Sequence, residues 1–321
     1  MKDVSVLLVN YKTPEMTLEC VKSILNNTKK IDYEIIIVDN GSDDNSIDFL
    51  NDCLINYDNI IILDAKENLG FGKANNLAAS YASGKYLFLL NNDTILIDNP
   101  IKDFFNFMEK IENFKIGVCG GNLVDINEQP AHSYNVLPDI TFEKKNAYKF
   151  ITNVFKRSSI RSDYNYTDNI IEVGYITGAD FFIRKCVFDQ LGGFDKDFFM
   201  YSEESELCFR IKKAGYSIVN IPYVKIIHLE GQSVKTSVDF NEKRFRMFCE
   251  GRFIYYNKTY GAKIAKKVYR ILRNSYLLKY LLSFFDKKYV AMMRVNKKTY
   301  IDAMIKLGGK QWLLDQEHLC V

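Results

Sequence analysis

The first 120 residues alternate short runs of apolar residues, at 4–9, 34–38, 59–63 and 86–90, with stretches of helical length. Strands that read as nearly unbroken apolar runs are covered on both faces, and a strand–helix–strand order makes neighbouring strands parallel. The pattern therefore predicts an α/β fold built on a parallel sheet with helices on both faces. Thr13 and Pro14 mark the start of the first helix, as N-cap and first helical residue. Residues 122–169, with Pro130 and Pro138, are polar and irregular and read as a long loop. Regular pattern returns over 174–184, followed by the turn Gly192-Gly193-Phe194-Asp195, a helix at about 203–214 and two short strands at 217–221 and 225–229. From about Thr236 the chain reads as helical and basic.

With 321 residues, 47% hydrophobic and 26% charged, the chain can bury a large core, which excludes disordered and fibrous classes. The net charge of +3 conceals a split. Residues 241–310 hold eighteen lysines and arginines against four acids, a net of +14, whereas residues 1–240 hold 25 basic against 34 acidic side chains, a net of −9. A nucleic-acid partner is not needed to explain that distribution. The seven cysteines form no Cys-x-x-Cys pair and mostly interrupt apolar runs, so they read as reduced, buried thiols of a cytoplasmic protein. The N-terminal apolar run is too short for a signal peptide, and no run of about 18 uncharged apolar residues predicts a transmembrane helix.

Ligands of an open parallel sheet bind outside the carboxyl ends of its strands. Three predicted strands run into polar clusters there: Asn10-Tyr11-Lys12, Asp39-Asn40-Gly41-Ser42-Asp43-Asp44 and Asn91-Asn92-Asp93-Thr94. Each alone reads equally well as a turn, because Asn, Asp and Gly dominate turns. Asp93 follows an unbroken apolar strand, so its carboxylate sits at a rigid strand end. Together with the Asn91 amide oxygen it suits a hard cation such as Mg²⁺ or Mn²⁺, which completes its shell with water and phosphate oxygens. Asp39 suits a ribose hydroxyl. The glycine-rich stretch from Asn68 to Asn76 permits close approach of backbone to a ligand, but Asn75 stands where a dinucleotide-binding loop has its last glycine, which argues against a nicotinamide or flavin enzyme. Glu204 precedes Leu207, Cys208 and Ile211 on one helical face, where desolvation raises a carboxyl pKa and makes a better base, while Glu206 faces Arg210 at i+4. Glu203 and Glu204 equally complement a helix N-terminus. His228 ends a strand and serves as a ligand only where the fold brings it to Asp93.

Taken in order, Val-Asn-Tyr, Val-Asp-Asn-Gly-Ser, Asn-Leu-Gly-Phe-Gly-x-x-Asn-Asn, Leu-Leu-Asn-Asn-Asp-Thr, Thr-Gly-Ala, Gly-Gly-Phe-Asp, Tyr-x-Glu-Glu-x-x-Leu-Cys-x-Arg and Ile-x-His resemble glycosyltransferase family 2. The closest likeness is to its rhamnosyltransferase-like branch, which builds bacterial surface polysaccharides. The resemblance covers about residues 3–235. It implies the GT-A fold, a Rossmann-like mixed sheet with helices on both faces, as a catalytic domain over 1–235. The donor half would lie at about 1–120 and the acceptor half at about 121–235, with 236–321 a basic helical C-terminal extension.

The resemblance further implies an inverting, metal-dependent transfer from a UDP- or dTDP-sugar to a glycan or lipid-linked glycan. Val9, Asn10, Tyr11, Asp39, Asn68, Gly70, Phe71, Asn75, Asn91, Asn92 and Asp93 would bind the donor. Thr177, Gly178, Ala179 and Asp180 would bind the acceptor. Asn91 stands at the first position of the family's Asp-x-Asp motif, which leaves Asp93, with His228, to hold Mn²⁺ or Mg²⁺. Glu204 matches the acceptor-activating base, with the choice between Glu203 and Glu204 open.

The basic segment at 258–290 reads either as a membrane-surface helix, bringing the enzyme to the inner face of the bacterial plasma membrane, or as a helix packed on protein. The oligomeric state stays open. Two competing readings are a sugar-nucleotide pyrophosphorylase, whose glycine-rich loop with a catalytic arginine is absent after the first strand, and a non-catalytic glycan-binding or membrane scaffold. The joint presence of Asp39, Asp93, Glu204 and His228 argues against the scaffold.

Overall fold

The four apolar runs form four parallel strands whose side chains alternate between the two faces of a sheet with the two-residue period of a pleat, buried in the first, second and fourth and half-buried in the third. The computed structural model describes residues 1–153, 162–229 and 240–308. Along the chain it places β1 (Val4–Asn10), α1 (Pro14–Asn27), β2 (Tyr33–Asp39), α2 (Ser46–Leu54), β3 (Ile60–Asp64), α3 (Phe71–Tyr81), β4 (Tyr86–Leu90), β5 (Thr94–Leu96) and α4 (Pro100–Met108). There follow β6 (Ile116–Val124), β7 (Tyr134–Asn135), α5 (Ile140–Asn153), β8 (Ile171–Glu172), β9 (Tyr175–Ile176), β10 (Asp180–Arg184), α6 (Lys185–Gln190), α7 (Glu203–Lys213) and β11 (Ser217–His228). Three helices close the described chain: α8 (Glu242–Tyr260), α9 (Ala262–Leu282) and α10 (Lys287–Lys306).

These elements divide into two compact units. One is built on a mixed sheet of order β3-β2-β1-β4-β10-β6-β11-β5, with β8 added against β11. β1 is parallel to β2 and β4, with Asn10 opposite Asp39, and β2 is parallel to β3. β10 runs antiparallel between β4 and β6, and β11 is parallel to β6 and antiparallel to β5, with His228 opposite Thr94. On one face Val4, Val6, Leu8, Ile35, Ile37 and Phe88 pack with Leu18, Val21 and Ile24 of α1. On the other Leu7, Ile36, Val38, Leu87 and Leu89 pack with Ala74 and Ala78 of α3.

The other unit holds α5, the first turn of α7 and α8 to α10. Cys249, Phe253, Tyr256, Ala265, Val268, Leu272, Tyr300 and Ala303 form its core, with Tyr269 and Tyr300 stacked at 4.5 Å. Its polar centre is Glu143, fully buried, which accepts hydrogen bonds from Arg252 Nε (2.7 Å) and the Tyr256 hydroxyl (2.9 Å).

Several expectations change. The polar stretch read as a long loop contains α5, whose start is capped by Asp139 accepting from the Phe142 amide (2.7 Å) and whose buried side chains are Glu143 and Ala147. The two short strands expected at 217–221 and 225–229 are one strand, β11, with a register shift between Asn220 and Lys225. Pro222 lies in that gap and has no N–H for a ladder bond, the usual cause of such an irregularity. Among the described cysteines four are buried as expected, whereas Cys53 and Cys186 are exposed; Cys320 lies outside the described residues. No described helix is long and apolar enough to cross a membrane.

Arg252→Met leaves the Glu143 carboxylate buried without its cation. Such uncompensated charges cost about 3–5 kcal/mol, and we expect a loss of that size in urea denaturation followed by helix circular dichroism. A loss below about 1 kcal/mol would show that the pair does not hold the helical unit together.

Candidate active site

Parallel β1, β2 and β4 end at one edge, and their last residues meet there. Asp39, fully buried, accepts from Asn10 Nδ2 (2.6 Å) and Ser42 Oγ (2.7 Å) at Oδ1, and from the Ser42 amide (2.9 Å) at Oδ2. Asn10 Oδ1 accepts from the Thr17 hydroxyl (2.8 Å), and Asn92 Nδ2 donates to the hydroxyls of Thr17 (2.8 Å) and Thr13 (2.9 Å). One hydrogen-bonded chain thus runs from the Asn91-Asn92-Asp93 loop to Asp39. Thr13 occupies the N-cap position of α1 as expected, but its side chain makes no capping bond. Val9 is half-buried at the edge and Tyr11 is exposed beside it, with the Lys12 ammonium 5.6 Å from its ring centre.

The glycine-rich stretch is tied to this edge. Asn40 accepts from the Leu69 amide (2.9 Å) and donates to Asn68 Oδ1 (3.2 Å), which also accepts from the Gly70 amide (3.0 Å). Gly70 caps α3 with φ of 79°, in the left-handed region that favours glycine. Asn75 is buried and donates to the Phe71 carbonyl (3.0 Å), inside the helix. Asn76, which sequence reasoning passed over, donates to the Phe194 carbonyl (2.8 Å) and accepts from its amide (2.9 Å), clamping the Gly192-Gly193-Phe194 turn. The doublet Asn75-Asn76 among alanines was the only signal for it.

The segment 177–180 lies against these residues. Phe71 packs over Gly178 so closely that a Cβ there would stand 2.9 Å from its ring, and the Ala179 carbonyl accepts from the Asn91 amide (3.1 Å). Thr177 is half-buried, its amide donating to the Ser133 carbonyl (3.2 Å). Asp180 is fully enclosed, not open to solvent: one carboxyl oxygen accepts from the Gly121 amide (2.6 Å) and the other has no partner. Burial holds this carboxyl well above the usual carboxylate range, against the Gly121 bond that lowers it.

Asp93 and His228 meet as neighbours across β5 and β11, with His228 Nε2 3.2 Å from Asp93 Oδ1. The Leu229 amide donates to the Asp93 carbonyl (2.9 Å), and the Thr94 hydroxyl fixes the loop by donating to the Asn91 carbonyl (2.7 Å). Two ligands set cis on an ion with bonds of about 2.1 Å stand about 3 Å apart, so this carboxylate and imidazole fit one divalent cation. Among the described residues no third His, Cys, Asp or Glu joins them. That leaves most of a coordination shell for water and phosphate oxygens, the habit of Mg²⁺.

At the start of α7 Glu203 is 2% exposed and Glu204 is half-buried, so the fuller burial expected at Glu204 falls one residue earlier. Leu207, Cys208 and Ile211 are fully buried, as the helical face predicts, and Arg210 donates to the carbonyls of Leu191 (2.7 Å) and Gly193 (2.8 Å). Desolvation, then the adjacent Glu204 charge, holds Glu203 well above the usual range. Enclosure by protein atoms pushes Glu204 up to about 7.

Comparisons with known proteins point one way. The sequence profile of Glycosyl transferase family 2 matches residues 5–166, and that of Glycosyl transferase family group 2 matches residues 86–295. An uncharacterised glycosyltransferase of Methanocaldococcus jannaschii is 25% identical over 89% of this chain and 94% of its own length. The low-salt glycan biosynthesis hexosyltransferase of Haloferax volcanii is 23% identical over 85% of this chain and 81% of its own. Rhamnosyltransferase WbbL of Escherichia coli is 24% identical over 58% and 69%. Among solved structures GalNAc-T7, crystallised with UDP, GalNAc and Mn²⁺, aligns with a TM-score of 0.61 and 14% identity over 96% of this chain, which spans 57% of that one.

A carboxyl raised from 4.5 to about 7 keeps a proton in the folded state that the unfolded chain releases, so stability falls as pH rises across that window. We expect Glu204→Gln to remove part of that fall, so that its melting temperature gains on the wild type from pH 5 to pH 7. Parallel melting curves for the two proteins would show that Glu204 ionises at an ordinary pH.

Proposed function

Because the chain belongs to glycosyltransferase family 2 and carries its GT-A fold, we propose that it moves a sugar from a UDP- or dTDP-sugar to a hydroxyl of a glycan or lipid-linked glycan, with inversion, in cell-surface polysaccharide synthesis. The observation that carries this reading is the Asp93–His228 pair beside the hydrogen-bonded ends of β1, β2 and β4. Asp39, at the end of β2, is assigned to the donor's nucleoside, and Tyr11 offers an exposed ring to the base. Asn68, Gly70 and Phe71 form a wall near which backbone and diphosphate approach, aided by the absence of a side chain at Gly70.

Asp93 and His228 would hold Mn²⁺ or Mg²⁺, which when bound neutralises charge on the departing diphosphate. Thr177, Gly178 and Ala179 contact the acceptor, and the buried Asp180 anchors that segment to the Gly121 amide. Glu204 takes the proton of the acceptor hydroxyl, whose oxygen bonds to the anomeric carbon on the face opposite the diphosphate. The bond from that carbon to the phosphate oxygen breaks in the same step, its electron pair leaves with the nucleoside diphosphate, and configuration inverts. A carboxyl near 7 is matched to this work, since a base is most effective when its pKa lies close to the working pH. The acidic body, net −9 over residues 1–240, gives the cation a further role in admitting an anionic donor. Peripheral contact with the inner face of the plasma membrane through residues 258–290 would deliver lipid-linked acceptors.

Glu204→Gln is expected to lower kcat by about 10²–10⁴, the usual contribution of a general base, in a radiolabelled sugar-transfer assay. Asp93→Ala should abolish the Mn²⁺-dependence of donor hydrolysis measured without acceptor. Near-normal transfer by either variant removes that residue from the mechanism. For the wild type, kcat should rise with pH through about 7 and level above it, as the base loses its proton.

A further inference from the structure

Helix α9 changes character along its length. Ala265, Val268, Leu272, Ser275 and Tyr276 form a stripe at helical spacing that is buried in the core of the helical unit. Leu277, Leu281 and Leu282 are exposed instead, and beyond them Phe284 and Phe285 stand 91% and 71% exposed. The packed reading therefore applies to the stripe from Ala265 to Tyr276, and the exposed apolar residues lie beyond it.

The helix ends with the Ser283 amide donating to the Lys279 carbonyl (2.9 Å) and the Phe285 amide to the Tyr280 carbonyl (3.4 Å). That closure places a left-handed residue just past the cap, where glycine is the usual occupant. Here it is Phe284 at φ 49°, followed by Phe285 at φ 72°. Two bulky residues in a conformation that disfavours them hold their rings at the tip of the turn, with Phe285 braced edge-on against Tyr280 at 5.5 Å. Strain that persists at an exposed site points to use.

The surroundings of the tip are cationic. Lys287 and Lys288 are exposed on the α10 side, and Arg270 and Arg273 are exposed on the same α9 stripe as Leu277 and Leu281, whereas Lys279 is half-buried with its ammonium 5.5 Å from the Tyr276 ring centre. The one acid between residues 277 and 288, Asp286, is engaged as the N-cap of α10, accepting from the Lys288 amide (2.9 Å). An apolar tip ringed by cations complements the surface of an anionic phospholipid bilayer, where hydrocarbon lies just beneath phosphate.

We infer that the α9–α10 turn, with Phe284 and Phe285 as the inserting rings and Lys287 and Lys288 on the headgroups, docks this chain on anionic phospholipid bilayers. The inference rests on the reading of residues 258–290 as a membrane contact and narrows it to 277–288.

Flotation of the full chain with phosphatidylcholine vesicles, with and without phosphatidylglycerol, tests it at low and high salt. The wild type should float with the anionic vesicles, and less at high salt. F284S/F285S should weaken that partition at least about tenfold, and K287E/K288E about fivefold per lysine, with most of the salt dependence gone. F284G/F285G relieves the backbone strain, so it should lose binding while its melting temperature holds or rises, which a purely structural role for the rings would not produce. Absence of wild-type binding at low salt overturns the inference, as does binding that F284S/F285S retains. A concentration-dependent dimer that F284S/F285S dissolves overturns it too, by making the tip a self-interface. Donor hydrolysis without acceptor, measured on the same variants, separates this outcome from the transferase reading, since vesicle binding and hydrolysis can each fail alone.

Discussion

A parallel sheet delivers the carboxyl ends of its strands to one edge, and the chemistry of this molecule depends on what the register brings together there. Pairing Asn10 with Asp39 across β1 and β2 sets an amide beside a buried carboxylate, with Ser42 completing the carboxylate's partners and Thr17 donating to the amide oxygen. Were the register one residue different, every side chain of β1 would exchange faces and the core would fail along with the site. Fold and site are thus specified by the same alternation. The network is nearly saturated, which is why a buried carboxylate is tolerable: its charge is met by three donors before any ligand arrives.

Much of this was legible in the sequence for a physical reason. Runs such as Tyr86-Leu-Phe-Leu-Leu90 bury both faces, and their five-residue length between polar flanks marks them as strands and not buried helices. The polar residues that follow each run were visible as a group because strand ends are where an α/β fold spends its polar side chains. The pairing of Asp93 with His228 was legible only through the family resemblance, since it depends on β5 and β11 lying side by side although about 130 residues separate them in the chain.

What could not be read has equally specific causes. Helix α5 hid because its buried face presents Glu143, a residue that pattern reading assigns to solvent, with its partner Arg252 supplied from a distant helix. Strand β11 was divided in two because Pro222 breaks the ladder without ending the strand. The clamp from Asn76 to Phe194 spans 118 positions, and its one local trace, the doublet Asn75-Asn76, does not name the partner. At the head of α7 periodicity selected the face of Leu207, Cys208 and Ile211 but not which of the two adjacent glutamates is the more enclosed. Glu203 is nearly fully enclosed and Glu204 half-buried.

The sheet order has a consequence for synthesis of the chain. β4 is completed at Leu90, but the strand that covers its free side, β10, ends only at Arg184. At ordinary translation rates the intervening chain takes roughly 5–20 s to make. Throughout that interval a half-sheet of β3, β2, β1 and β4 carries an unpaired edge of Tyr-Leu-Phe-Leu-Leu, an open template for another nascent chain. An antiparallel strand that arrives late, β10, inserts between β4 and β6 and closes that edge, while β11 must still follow to join β6 to β5.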